Sequence, residues 1–317
     1  MYIGSVRFFK HLILTVLALL IIIPTTGFVY FAYQYQNLKN QIAAQAEVLQ
    51  QGQAALSEDA VLSDDKENTQ NNPVLAVYAA DHTSDTAETG LLYQLEYPQL
   101  YVENDFTYKT EAEKTIYLTF DDGPTELTPQ ILDILKDHDV KATFFVVYRD
   151  SDEAKLLYKR IVDEGHTLAL HSATHNYKKI YQSVESFLDD YATLSDMLFE
   201  VTGTKPELFR FPGGSVNNYN KEIYQELIAE MLRRGYTYYD WDASAGSSTS
   251  TATADSIYSN VMNGVSGKQR AIVLMHDAGT RATVSVLPKI IDSLKASGYK
   301  LEVLDKNIRP ANFDYSY

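Results

Sequence analysis

Seven short apolar, β-rich runs succeed one another through the carboxy-terminal part of the chain, at 115–120, 142–147, 166–170, 208–211, 236–241, 271–275 and 299–304. Amphipathic, helix-like stretches separate them. Thr128-Pro129 opens one such stretch, with Thr as N-cap and Pro in the first turn. Gly165, Gly203 and Gly298 close others. Strict alternation of strand and helix constrains the chain to an α/β fold, a parallel sheet with helices outside. Seven repeats fit a closed or nearly closed (β/α)7 barrel. A two-sided open sheet is the other arrangement compatible with the pattern, because sequence does not state strand order. The domain is expected over 111–309, after a lead-in at 91–110 and before a tail at 310–317.

Chemistry-bearing residues gather at the carboxyl ends of these runs. Asp121 and Asp122 follow the first, His171 and His175 the third, Arg210 lies in the fourth, Asp240 ends the fifth, and His276 follows the sixth. Barrel enzymes place their chemistry at that rim, where loops from separate strands converge. His171-Ser-Ala-Thr-His175 sets two imidazoles four residues apart. Two histidines and one carboxylate form a common catalytic zinc set that leaves a position open for water. The carboxylate comes from Thr119-Phe120-Asp121-Asp122-Gly123-Pro124. The Gly-Pro turn lets one aspartate face a metal and the other a water that the metal acidifies. The chain has no cysteine, which excludes a disulfide scaffold, a thiolate zinc site and a thiol nucleophile. Asp and His remain as metal ligands.

In order, TFDDGP, HSATH, RFPGG, YYDW and LMH resemble the five motifs of the polysaccharide deacetylase family, the carbohydrate esterases built on the NodB homology domain. That resemblance implies a NodB-type distorted barrel, a divalent metal, zinc before cobalt or another ion, and hydrolytic removal of acetyl groups by an Asp base and a His acid. By the same resemblance Asp121 is the general base, and Asp122, His171 and His175 are the metal ligands. Arg210 orients the base, and Asp240 tunes the acid His276. Leu274 and Trp241 wall the acetyl pocket, and the Gly213 N–H is an oxyanion donor. Many relatives carry an aromatic residue where Gly213 stands, so Gly213-Gly214 implies a more open rim. Tyr148, Tyr177, Tyr181 and Tyr239 are offered for stacking on sugar faces.

The amino-terminal third reads differently. Leu12 to Tyr33 holds 22 residues without a charge, and about 20 cross a bilayer as a helix. Arg7 and Lys10 before it place residues 1–11 in the cytoplasm and the rest outside. The expectation is an uncleaved signal anchor at 12–33, with secretion after cleavage as the alternative. Residues 34–56 read as a helical stalk. Residues 57–90 are acidic and poor in large apolar groups, a flexible linker. Some 60 such residues reach roughly 40 Å as a random coil. The formal charge of −15 argues against nucleic acid as a partner. Anchorage outside a membrane points to cell-wall polysaccharide, most directly the N-acetylglucosamine or N-acetylmuramic acid of peptidoglycan. Exopolysaccharide, chitin oligomers and O-acetylated xylan are the alternative substrates, and an inactive wall-binding module is the alternative of another class.

Overall fold

At the centre of the molecule lies β1 (Thr115–Asp121), buried along its whole length, as a TIYLTFD run covered on both faces should be. The computed structural model describes residues 91–110, 114–248, 251–278 and 280–313. The spanning helix expected at 12–33, the stalk at 34–56 and the linker at 57–90 fall outside the described residues. Among the described residues no helix is long and apolar enough to cross a membrane.

The other strands are β2 (Thr143–Val147), β3 (Thr167–Ser172), β4 (Leu208–Phe209), β5 (Thr237–Tyr238), β6 (Ala243–Ser244), β7 (Arg270–His276) and β8 (Lys300–Glu302). All pairings are parallel, in the order β5-β4-β3-β2-β1-β7-β6. β7 pairs with β1 along its full length, while β2 and β8 share the opposite edge. The helices are α1 (Thr128–Asp137), α2 (Asp152–Asp163), α3 (Tyr177–Ile180), α4 (Val184–Thr202), α5 (Tyr224–Arg233), α6 (Ala254–Val265) and α7 (Arg281–Ala296). The result is a curled half-barrel. It differs from seven even repeats in two ways. β6 is a two-residue strand too short to leave a periodic signal. Among the described residues, β5 and β6 do not pair and leave a seam. The carboxy-terminal segment lies along it, where Asp240 N–H donates to Ala311 O at 2.8 Å.

Strand periodicity divides the core into two sides. Ile116, Leu118, Phe120, Phe144, Val146, Leu168, Leu170, Val273 and Met275 pack outward under the helices. Tyr117, Phe145, Ala169, Leu208, Tyr239 and Ile272 fill the concave side. Helix ends mostly follow the expected signals: Gly165, Gly203 and Gly298 all take positive φ. Thr128 departs from them. Leu127 is the N-cap of α1, and Thr128 is its first residue. The Thr128 hydroxyl is committed elsewhere, donating to Asp277 at 2.5 Å.

The lead-in is clamped to α5 by the fully buried Arg234. Its guanidinium donates to the carbonyls of Tyr93, Glu96 and Tyr97 and to Glu230 Oε1, all at 2.7–3.0 Å. Arg234→Met is expected to cost about 3–5 kcal/mol, since it strips a buried charge from its acceptors. Urea unfolding at constant m-value measures this; a loss below about 1 kcal/mol contradicts it.

A second stability device is acid-sensitive. His166 Nδ1 accepts the Ala142 N–H at 3.1 Å, so the ring must be neutral there. Burial pushes its pKa down to about 4. The fold thus binds this proton less readily than the unfolded chain. Stability is full above about pH 6.5 and declines by up to about 3 kcal/mol as pH falls through the window to 4. His166→Gln, which can still accept the Ala142 N–H, is expected to flatten the pH-stability curve there; an unchanged slope contradicts the assignment.

Candidate active site

The phase that sends Ile116, Leu118 and Phe120 outward sends Thr119 and Asp121 to the concave side. It does the same for Ala169 and His171, Leu208 and Arg210, and Ile272, Leu274 and His276. Register then brings strand ends together: Asp121 of β1 pairs directly with His276 of β7. The next residue, Asp122, turns out of the strand at φ 73°, and Gly123 follows it. A β-carbon at position 123 would collide with the Asp277 carboxylate, which fixes the residue type at that turn.

Asp122, His171 and His175 converge, with one ligand atom from each inside 4.8 Å. His175 Nε2 lies 3.1 Å and His171 Nε2 3.4 Å from the same oxygen, Asp122 Oδ1. That oxygen is buried and has no hydrogen-bond partner. His171 Nδ1 sits 2.9 Å from the Arg210 carbonyl, which can only accept, so Nδ1 carries a proton. A neutral His171 then aims a bare Nε2 lone pair at a carboxylate, which is repulsive unless a cation lies between. Burial works against the Asp122 charge, but the two imidazoles facing it outweigh burial and hold the carboxyl well below the usual range. Burial likewise opposes the His171 charge, yet Asp121 and Asp122 raise its pKa. The donor set, its orphaned oxygen and its demand for positive charge fit a divalent metal.

Asp121 stands beside this cluster, 3% exposed. Its Oδ1 accepts Arg210 Nη1–H at 2.7 Å, while Oδ2 lies 3.8 Å from His171 Nε2. Arg210 is fully buried and uses four of its five N–H donors: it also donates to Thr119 Oγ1, Tyr239 O and Asp240 O. Its guanidinium lies 4.1 Å from the centre of the Phe145 ring. So restrained, it holds one Asp121 oxygen and leaves the other toward the cluster.

The structure does not bring Asp240 to His276. Tyr239 faces the concave side, so alternation turns Asp240 away. Asp240 Oδ1 accepts Ser215 N–H at 2.8 Å. Its Oδ2 accepts Ser215 Oγ–H at 2.5 Å and Phe313 N–H at 2.8 Å. Burial raises its pKa against these donors. Its role is to pin the Ser215 turn and the carboxy-terminal segment. Ser247 meets His276 instead. Its hydroxyl accepts the His276 N–H at 2.8 Å and lies 3.4 Å from Nδ1, leaving Nε2 for the site. Burial lowers the His276 pKa, with Asp121 and Asp122 opposing. His276 is therefore not held protonated by a paired carboxylate.

The remaining expected residues border this rim. Leu274 is 4% exposed on β7. Trp241 packs edge-on against Phe313, ring centres 4.8 Å apart. Gly213 takes φ 80° and is exposed; a β-carbon at Gly214 would strike the Phe313 ring. Of the tyrosines, Tyr239 is core, its hydroxyl donating to Ile308 O, and Tyr181 is buried on Pro212 O. Tyr177 lies between His175 and the half-exposed Tyr219, with ring centres 5.4 and 5.2 Å away. Sequence reasoning missed Ser247, Tyr219, Phe313 and Asp277. The Asp277 carboxylate accepts from Thr125 and Thr128 and ties the end of β7 to the Asp122 turn, and burial pushes its pKa up to about 6.

The sequence profile of the polysaccharide deacetylase family matches residues 108–232. YheN of Bacillus subtilis (strain 168), a protein named for that family, is 36% identical over 221 residues, 68% of this chain and 76% of YheN. A peptidoglycan-N-acetylglucosamine deacetylase of Bacillus cereus is 32% identical over 212 residues, 65% of this chain and 75% of the relative. The crystal structure of the catalytic domain of peptidoglycan N-acetylglucosamine deacetylase from Eubacterium rectale superposes with a TM-score of 0.63 at 32% identity. It covers 67% of this chain and 97% of that domain.

Proposed function

This chain belongs to the polysaccharide deacetylase family, hydrolases that act on carbon–nitrogen bonds other than peptide bonds, and on that premise we propose that it removes acetyl groups from N-acetylglucosamine of cell-wall peptidoglycan. The observation that carries the chemistry is one rim holding the Asp122–His171–His175 cluster, the Arg210-held Asp121 and His276. The names of the Bacillus cereus and Eubacterium rectale relatives support the choice of sugar.

A divalent cation held by Asp122, His171 and His175, zinc in our reading, supplies a Lewis acid for the acetamido carbonyl and acidifies water. Asp121 accepts, on the oxygen Arg210 leaves free, the proton of the attacking water. His276 Nε2 delivers a proton to the departing amine. Water adds to the carbonyl carbon, the carbon–nitrogen bond breaks, and acetate and a free amino sugar leave. Burial disfavours charge on His276, so its protonated form is a strong acid toward the amine. The Gly213 N–H is the candidate oxyanion donor, and Leu274 and Trp241 the candidate walls of the acetyl pocket. Tyr177 and Tyr219, beside His175, offer faces for sugar rings.

We place this domain outside the cell membrane, tethered by the apolar segment 12–33 and within reach of wall polysaccharide. Zinc-loaded full-length protein is expected to release acetate from N-acetylated peptidoglycan faster than from chitin oligomers or O-acetylated xylan. Mass spectrometry of wall digests identifies the deacetylated sugar. Preference for acetylxylan would replace the amide substrate with an ester.

A further inference from the structure

Asp190 lies within α4, 3% exposed, and no proton-transfer step uses it. Its carboxylate gathers four donors from the loop that separates the two histidine ligands. Oδ2 accepts Ser172 Oγ–H at 2.6 Å and Ala173 N–H at 2.7 Å. Oδ1 accepts Thr174 N–H at 2.9 Å and Thr174 Oγ–H at 2.6 Å. Ser172 Oγ in turn accepts the His175 N–H at 2.8 Å. His175 itself stands at φ 50°, a conformation that a non-glycine residue holds only when its surroundings demand it. The loop is therefore wrapped around an anion supplied by another element. Without that anion, two amides and two hydroxyls would face a partly dry space unpaired.

We propose that Asp190 is a positioning residue that shapes the HSATH loop so that His175 aims at the same point as His171, and thereby sets the affinity and geometry of the metal site. This rests on the metal reading above. The two ligands depend on it unequally. His171 belongs to β3 and is oriented by the Arg210 carbonyl. His175 follows the loop, and its backbone reaches Asp190 through Ser172. Loss of Asp190 should thus release His175 while His171 stays. Outer partners that orient metal ligands are worth about 10–100-fold in affinity.

The test uses full-length wild-type protein and Asp190→Asn, each stripped with a chelator. Zn2+ affinity is measured by competition with a chromophoric chelator, and Co2+ loading by visible absorption. An amide can accept from only part of this donor set and adds two donors of its own. The expected result is folded protein with 10–100-fold weaker Zn2+ binding and altered Co2+ ligand-field bands, a change that a purely structural role would not produce. Folded Asp190→Asn with wild-type affinity and an unchanged Co2+ spectrum overturns the proposal and leaves the metal reading standing. Wild type that binds neither ion overturns both. If Asp190→Asn does not fold, Thr174→Val, which removes one of the four bonds, carries the test. A several-fold weaker affinity supports the proposal, and an unchanged one overturns it.

Discussion

Asp121→Asn is expected to lower kcat by about 10²–10⁴-fold while the protein still binds its metal, the range that a positioned proton acceptor contributes. The substitution is nearly isosteric, and the fixed surroundings keep the new side chain in place. Arg210 Nη1 can still donate to an amide oxygen where it now donates to Asp121 Oδ1 at 2.7 Å. The amide nitrogen then occupies the position of Oδ2, the oxygen turned toward the His171–Asp122 cluster. A nitrogen that already carries two hydrogens accepts no proton. The metal ligands are not touched, so metal content by atomic emission separates loss of the base from loss of the site. Activity within about threefold of wild type, with metal bound, would remove Asp121 from the base role.

The second large effect follows from the ligand set. Asp122→Ala deletes the oxygen against which both imidazoles converge at 3.1 and 3.4 Å. Metal content is expected to fall to a small fraction of one per chain. A metal supplies several kcal/mol of charge stabilisation, and at 1.36 kcal/mol per decade acetate release should fall by about 10³–10⁵-fold. High Zn2+ should restore only part of it, because two histidines remain. Chelation of the wild type should produce the same loss and be reversed by added metal. Full activity of Asp122→Ala, or of chelated wild type, contradicts a metal mechanism.

Why some of this was legible in sequence and some was not follows from the distance over which each signal acts. The seven β-rich runs carry their own periodicity, and periodicity fixes which side chains face the concave side. Asp121, His171, Arg210 and His276 could be assembled from that phase alone. The HSATH spacing is local, and so is the Asp-Asp-Gly-Pro turn. Asp240 shows where motif matching fails. The resemblance pairs it with His276, but Tyr239 takes the inward position, so Asp240 turns to Ser215 and Phe313. Thr128 has the residue type and position of an N-cap, yet Asp277, 149 residues away, claims its hydroxyl. Asp190, Ser247 and Phe313 act through contacts with no sequence spacing to announce them. Arg234 belongs with them, since its partners lie in a lead-in more than 130 residues earlier.

The most direct test of the account is the stoichiometry of wall deacetylation by purified full-length protein. Peptidoglycan is incubated with protein carrying zinc, with chelated protein and with chelated protein given zinc again, and acetate and free glucosamine amines are counted together. One free amine per acetate is expected in the first and third samples and neither product in the second. Zinc-loaded protein that releases no acetate, or acetate without matching amines, would contradict it.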